Sequence, residues 1–356
     1  MAGIETLKLC TSMWEPANSR ETSLTVGYRT GCEVDDTRPS WDGSAARPLA
    51  WSAWYPCSGD AVYNRPTEQF FDPGDVGADA RLADGAKFPV TLMSHGTGGS
   101  AEGTGWLAHR LAQAGHVVIG AHHHGNTARE PYRPEGFLCW WERATDLSAL
   151  LTLHASRGPF AGRLDMNRVS AVGFSLGACT VLSLSGAVTS MNRYLDWAVD
   201  FPRFQRGPRE MPDAASHIPD LLLMSAPFRE SWARQSDTFV DKRIRTVVAI
   251  APPPPVRGFD PATVAAIDTS VTLITGESDT EAPSRECADW LMQNNPDFRR
   301  SSVGRNVGHY TFLGFPAGPV SAQDAVLFQD NEGVSRGDVH ERAAHEVISA
   351  LAASTR

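Results

Sequence analysis

Along most of the chain, short apolar runs alternate with segments whose apolar residues recur at helical spacing. Phe88 to Met93 is apolar almost throughout, the pattern of a parallel strand covered on both faces. Trp106, Leu107 and Leu111 then mark one side of a helix that Gly115 stops, and Val117 to Ala121 is the next strand. Over residues 142–156, Leu147, Leu150, Leu151 and His154 fall at i, i+3, i+4 and i+7, which predicts an amphipathic helix. Arg168 to Phe174, Ile244 to Ala251 and Val271 to Thr275 read as further strands, with a last candidate near Arg300 to Val303. Helices are predicted around Cys287, Trp290 and Leu291, and around Ala344, Val347, Ile348 and Leu351. Strand–helix alternation of this kind implies an α/β fold, with a mostly parallel sheet, right-handed crossovers and helices on both faces.

Two regions break the alternation. Before Lys87, Ser23 to Arg29 and Leu49 to Tyr55 are aromatic and β-branched runs that read as strands. Thr37 to Arg47 reads as a loop between them, and residues 57–87 as an excursion over the surface. The second break is residues 188–240, where Trp197, Phe201, Phe204, Leu221 to Leu223, Phe228 and Trp232 lie among prolines and charges. An insertion of about fifty residues is too long for a plain loop. It is expected to form a mostly helical cap within a single domain spanning residues 1–356.

Composition narrows the function classes. The 356 residues suffice for a sizeable core, and the net charge of −9 without a basic patch argues against nucleic acid as a partner. No apolar run approaches the roughly 20 residues of a membrane span. The N-terminal residues lack a basic start followed by an apolar core, so no secretory signal is expected. Cys10, Cys32, Cys57, Cys139, Cys179 and Cys287 are scattered without a C-x-x-C pair. Reduced thiols and a cytoplasmic location are the expectation.

The chemistry gathers at Gly173-Phe174-Ser175-Leu176-Gly177, set between a predicted strand and a predicted helix. In that context G-x-S-x-G means a nucleophile elbow, with the serine on a sharp turn at a helix N-terminus. Acyl transfer by serine needs a base, an acid to orient the base, and two N–H donors for the oxyanion. In the hydrolase arrangement the acid and then the histidine follow the serine, each after a strand. Asp279 and His309 meet that order. Of the other histidines, His95 and His122 to His124 precede the serine, while His154, His217, His340 and His345 lie on helices or in the insertion. Glu277 and Glu281 flank Asp279 as solvated neighbours. The loop after the preceding strand, Ala251 to Pro255, holds no carboxylate.

Ser94-His95-Gly96-Thr97-Gly98-Gly99 reads either as a turn into the next helix or as a loop whose Thr97 N–H joins the Leu176 N–H in an oxyanion hole. Trp140, Trp141, Trp197 and Tyr310 are candidate pocket residues. His122 to His124 lack an Asp, Glu or Cys companion at ligand spacing, so they are expected to form a loop near the pocket mouth, with no metal and no cofactor. Cys179, four residues after the serine, is expected to be a packed thiol.

These residues resemble the α/β-hydrolase superfamily. More narrowly, they are similar to bacterial hydrolases described as predicted dienelactone hydrolases and to platelet-activating-factor acetylhydrolases. The stretches that carry the resemblance are Ser94 to Gly99, His122-His123-His124-Gly125-Asn126-Thr127, Trp141-Glu142-Arg143-Ala144-Thr145-Asp146, Gly173 to Gly177, and Asp241-Lys242-Arg243-Ile244. It covers roughly residues 45–315, and implies a serine hydrolase acting on carboxylic esters with Thr97 and Leu176 as oxyanion donors. Dienelactone hydrolases use a cysteine nucleophile, where this chain has Ser175. The acetylhydrolases place their acid one strand earlier, where this chain has prolines. In their third loop an Asp and a Pro stand where this chain has His122 and His124. The leading expectation is a cofactor-free serine esterase for a short or medium acyl ester or a lactone, its partner a small-molecule ester. An amidase using the same triad and a non-catalytic binding protein on the same fold are the alternatives.

Overall fold

The computed structural model describes residues 25–59, 69–85 and 87–353. In chain order the elements are β1 (Thr25–Pro39), β2 (Ala46–Cys57), β3 (Gly77–Ala78), β4 (Phe88–Ser94), α1 (Gly105–Gln113), β5 (Val117–His122), α2 (Pro134–Leu138), α3 (Glu142–Ser156), β6 (Leu164–Phe174) and α4 (Leu176–Leu184). There follow α5 (Met191–Val199), α6 (Ile218–Met224), α7 (Ala226–Ala233), β7 (Ile244–Ile250), α8 (Pro261–Ala265), β8 (Ser270–Thr275), α9 (Ala288–Asn294), β9 (Arg299–Ser302) and α10 (Arg336–Ala353).

The strands form one nine-stranded sheet in the order β3-β1-β2-β5-β4-β6-β7-β8-β9. From β5 to β9 every pairing is parallel, while β2 runs antiparallel to both β1 and β5. Alternate residues of each strand enter different cores. Ala53, Leu92, Ile119, Ala171, Val247 and Leu273 pack with Leu147 and Leu151 of α3 and Val181 of α4. Their neighbours Trp54, Met93, Val118, Val172, Val248 and Ile274 pack with Leu107 and Leu111 of α1 and Val339 and Val347 of α10. Both faces are therefore covered, and burying each such Val, Leu or Ile contributes about 1.5–3 kcal/mol. That is why the strands read as continuous apolar runs.

The N-terminal hairpin departs from expectation. Thr37 to Arg47 is not one long loop: β1 reaches Pro39, β2 starts at Ala46, and only residues 40–45 turn. Charged residues disguised the strand ends because their countercharge lies elsewhere in the chain. Arg38 Nη2 and Arg47 Nε donate to the buried Asp146 Oδ1 of α3 at 2.7 and 2.8 Å, and Arg38 Nε reaches Asp35 at 2.7 Å. Within residues 57–87 lies the two-residue strand β3, parallel to β1. Ser23, Leu24 and Cys10 lie outside the described residues.

Residues 188–240 contain α5, α6, α7 and short 3-10 turns. The segment is moored to the first turn of α3. Ser231 donates to Glu142 Oε1 at 2.7 Å, Arg234 pairs with the same carboxylate, and Trp141 Nε1 donates to Ser231 Oγ at 3.0 Å. Among the described residues no helix is long and apolar enough to cross a membrane.

Candidate active site

Ser175 joins β6 to α4 with φ 53° and ψ −125°, a backbone conformation that costs a non-glycine residue about 1–3 kcal/mol. The surrounding structure over-determines it. Ser175 N–H donates to the Ile250 carbonyl at 2.9 Å. A Cβ on Gly173 would collide with the Gly177 carbonyl, and one on Gly177 with the Ser94 carbonyl, so both flanking glycines are required by close backbone passage.

His309 Nε2 lies 2.9 Å from Ser175 Oγ, and His309 Nδ1 lies 2.8 Å from Asp279 Oδ2. With Nδ1–H donating to the carboxylate, Nε2 is left to accept from the serine hydroxyl. The loops after β8 and β9 bring this pair together by fastening to each other. Glu277 N–H donates to the Gly304 carbonyl at 3.1 Å, and Ser278 N–H to the Val307 carbonyl at 3.1 Å. Gly276 is the contact point, since any Cβ there would strike the Val307 carbonyl. The other Asp279 oxygen, Oδ1, accepts from Ala282 N–H at 2.7 Å, so both carboxylate oxygens are held. Burial opposes the imidazolium of His309, but the charge and hydrogen bond of Asp279, followed by the charges of Glu281 and Glu210, outweigh it. The pKa is raised above the usual histidine value. Glu277 instead accepts from Ser302 Oγ at 2.8 Å, away from the imidazole.

Thr97 and Leu176 line the same cavity as Ser175. Leu176 is the first residue of α4 and its N–H has no intrahelical acceptor. The loop carrying Thr97 is fixed on both sides. His95 Nδ1–H donates to the Gly96 carbonyl at 2.7 Å while His95 Nε2 accepts from His123 N–H at 3.2 Å. Gly98, at φ 61°, donates its N–H to Asn126 Oδ1 at 2.6 Å and accepts from Tyr132 OH at 2.8 Å. Nothing in the sequence alone singles out Asn126 or Tyr132 as a site residue. The Gly125-Asn126-Thr127 turn was the one available signal.

The cavity over Ser175 measures about 860 Å³. Trp140 and Tyr310 line it, with Phe71, Tyr194, Val199 and Phe204. Trp141 and Trp197 do not, which corrects the sequence expectation. Trp141 is buried against α7, where Ser231 takes its Nε1–H. Trp197 falls on the other side of α5 from Leu195 and Val199, stacks on Phe201 and Phe204 at 4.6 and 5.4 Å, and carries Arg257 over its ring. Adjacent aromatics look alike in sequence, but a 100° turn per residue sends them to different surroundings.

No family model matches this chain, and no curated protein matches it in sequence. Among solved structures, a ferulic acid esterase from Streptomyces cinnamoneus superimposes over 93% of this chain and 90% of its own, with a TM-score of 0.59 at 17% identity. The chain has the α/β-hydrolase fold.

In this hydrolase fold the histidine run is not a loop at the pocket mouth. His122 and His123 are buried at the end of β5, and the three rings point to separate partners. His122 Nε2 meets Ser52 Oγ at 2.9 Å, His123 Nδ1 meets Asp146 Oδ2 at 3.0 Å, and His124 Nδ1 meets Glu130 Oε1 at 2.7 Å. No group of three or more His, Cys, Asp or Glu side chains suited to a metal occurs among the described residues. Cys179 is fully buried, and burial pushes its thiol pKa up, so it stays a neutral thiol.

Proposed function

We propose that this protein is a serine hydrolase of carboxylic esters, working through an acyl-enzyme. The observation that carries the reading is the Ser175–His309–Asp279 relay, at 2.9 and 2.8 Å, opening into an 860 Å³ cavity. In this scheme His309 Nε2 takes the Ser175 proton as Oγ bonds to the ester carbon. The carbonyl oxygen becomes an oxyanion received by the N–H groups of Thr97 and Leu176, each such donor contributing about 10²–10³ in rate. His309 then passes its proton to the leaving alcohol. Water repeats the sequence on the acyl-enzyme and returns Ser175. Every step uses protein groups and water, so the scheme needs no metal or cofactor.

Residues 188–240 act as a cap within a single domain, with α5 and the turn that follows it forming one wall. The apolar lining suits a medium apolar acyl or aryl group. The structural neighbour is named for an ester of an aromatic acid, and the resemblance to dienelactone hydrolases adds lactones to the candidates. The test is a panel of nitrophenyl esters of rising acyl length with matched anilides. Esters should be cleaved at least a hundredfold faster than anilides, a margin of about 2.7 kcal/mol in barrier. Anilides cleaved as fast as esters would turn the reading to an amidase, and no cleavage at all of either would sink catalysis. Phe204→Ala should shift the preferred acyl length upward while acetate ester turnover changes little. An unchanged length profile would reduce the segment to a packing role.

The pH profile follows from His309. Because its pKa is raised, the imidazolium persists above the ordinary histidine range of about 6.5 and cannot accept the serine proton there. The acid limb of kcat/KM should therefore have its midpoint above that value, with activity rising as pH increases through it. In Asp279→Asn the limb should move to lower pH. A limb that stayed in place in this variant would show that another group sets it.

A further inference from the structure

Arg143 is fully buried at the meeting point of the two elements that carry Thr97 and Leu176. Its Nη2 donates to the His95 carbonyl and, at 3.3 Å, to Ser94 Oγ. His95 lies two residues before Thr97. The first turn of α4 packs on the same spot, since a Cβ on Gly177 would lie only 3.0 Å from that His95 carbonyl oxygen and closer still to the carbonyl of Ser94. One guanidinium thus sits beneath both proposed oxyanion donors.

Its charge has no direct partner. Among the described residues Arg143 makes no ion pair, and its Nε and Nη1 have no hydrogen-bond partner. Asp146, one turn further along α3, is bonded instead to Arg38, Arg47 and His123. Among the described residues its hydrogen-bonded link to Arg143 is a relay in which Ser94 Oγ accepts from Arg143 and donates to His123 Nε2 at 2.9 Å. A buried cation left this way is costly to folding, and an apolar side chain in its place would avoid the cost. Burial, partly offset by the charge of Asp146, pushes the Arg143 pKa down to about 9, which leaves it charged at neutral pH. The nearby His95 and His123 are held neutral, first by burial and then by the Arg143 charge. A preorganised positive charge in a water-poor site acts strongly on negative charge that develops nearby.

We propose that Arg143 is a positioning residue of the oxyanion hole: it locks the His95–Thr97 loop against the first turn of α4 and favours the oxyanion with a charge that is held in no ion pair. The inference rests on the serine-hydrolase reading above. Arg143→Gln retains a donor for the His95 carbonyl and removes the charge, whereas Arg143→Lys retains the charge and loses the planar fork. The probe is a trifluoromethyl ketone, to which Ser175 Oγ adds while its proton passes to His309, turning the ketone oxygen into an oxyanion. Against the parent, removal of a direct donor costs about 10²–10³, so a group behind the donors should cost about 10–10². The expected result for Arg143→Gln is a kcat loss of that size, KM within threefold, and ketone affinity falling in parallel. For Arg143→Lys a threefold to tenfold loss in kcat is expected, again with the ketone affinity following. A Gln variant as active as Lys, or a loss confined to KM, would overturn the inference. If the Gln variant does not fold, Lys decides: kcat and ketone affinity falling together support it, and an unchanged kcat or an unchanged ketone affinity defeats it. Ser175→Ala, run in parallel, separates the two claims. Turnover surviving there would defeat the reaction reading, whereas turnover lost there beside an indifferent Arg143→Gln would defeat this inference alone.

Discussion

Ser175→Ala is expected to lower ester turnover by about 10⁶, the scale of loss when the nucleophile of a serine protease is removed. The change deletes Oγ, and with it the bond-forming atom and the 2.9 Å contact to His309 Nε2. Little else should move. Alanine occupies the same positive-φ turn with similar strain, the Ile250 carbonyl still receives the backbone N–H, and the cavity walls are unchanged. Substrate binding should persist, so KM measured on any residual activity should stay within a few-fold. A fluorophosphonate probe should label the parent at Ser175 and fail to label the variant. Turnover within tenfold of the parent, at equal folded fraction by thermal melting, would assign the chemistry to another residue.

Asp279→Asn should cut turnover by about ten-thousandfold, equivalent to about 5.5 kcal/mol of barrier, without unfolding the protein. The two carboxylate oxygens are committed differently. Oδ1 accepts from Ala282 N–H and Oδ2 from His309 Nδ1–H. An amide can satisfy Ala282 with its oxygen, but its NH₂ then faces Nδ1 and demands an acceptor there. The imidazole responds by carrying its proton on Nε2, where it can no longer accept from Ser175. The variant also loses the charge that stabilises the imidazolium formed as the serine attacks. Glu277→Gln is the control on the same loop, since Glu277 bonds Ser302 rather than the histidine. It should remain within a few-fold of the parent. Should Asp279→Asn stay that active while Glu277→Gln collapses, the acid would have been assigned two residues away from its place.

How far these residues could be read in advance depends on the distance over which each signal acts. The strands from Phe88 to Thr275 and the helix over 142–156 were legible because burial on two faces, or on one helical face, writes itself into neighbouring positions. The elbow was legible for the same reason. Gly173, Ser175 and Gly177 are bound by one local turn, and the colliding carbonyls, Gly177 and Ser94, belong to that turn and to the adjacent strand. Chain order and strand ends also nominated Asp279 and His309, but nothing local sets them 2.8 Å apart. The hydrogen bonds between the loops after β8 and β9 do that.

Other features depended wholly on partners distant in sequence. Arg38 and Arg47 looked like loop residues until Asp146, roughly a hundred positions away, supplied their countercharge. Trp141 and Trp197 carried the same composition signal as Trp140, and only the packing of α3 and α5 turned them from the cavity. The three consecutive histidines promised a common role and instead serve Ser52, Asp146 and Glu130 separately. Arg143 was one letter within a matching stretch. Its place under Ser94, His95 and Gly177 appears only when α3 packs against β4 and α4. Periodicity and turn chemistry are short-range and survive in the sequence as patterns. Charge pairing, cavity lining and the meeting of strand-end loops are long-range, and a residue's own neighbours in the chain carry no trace of them.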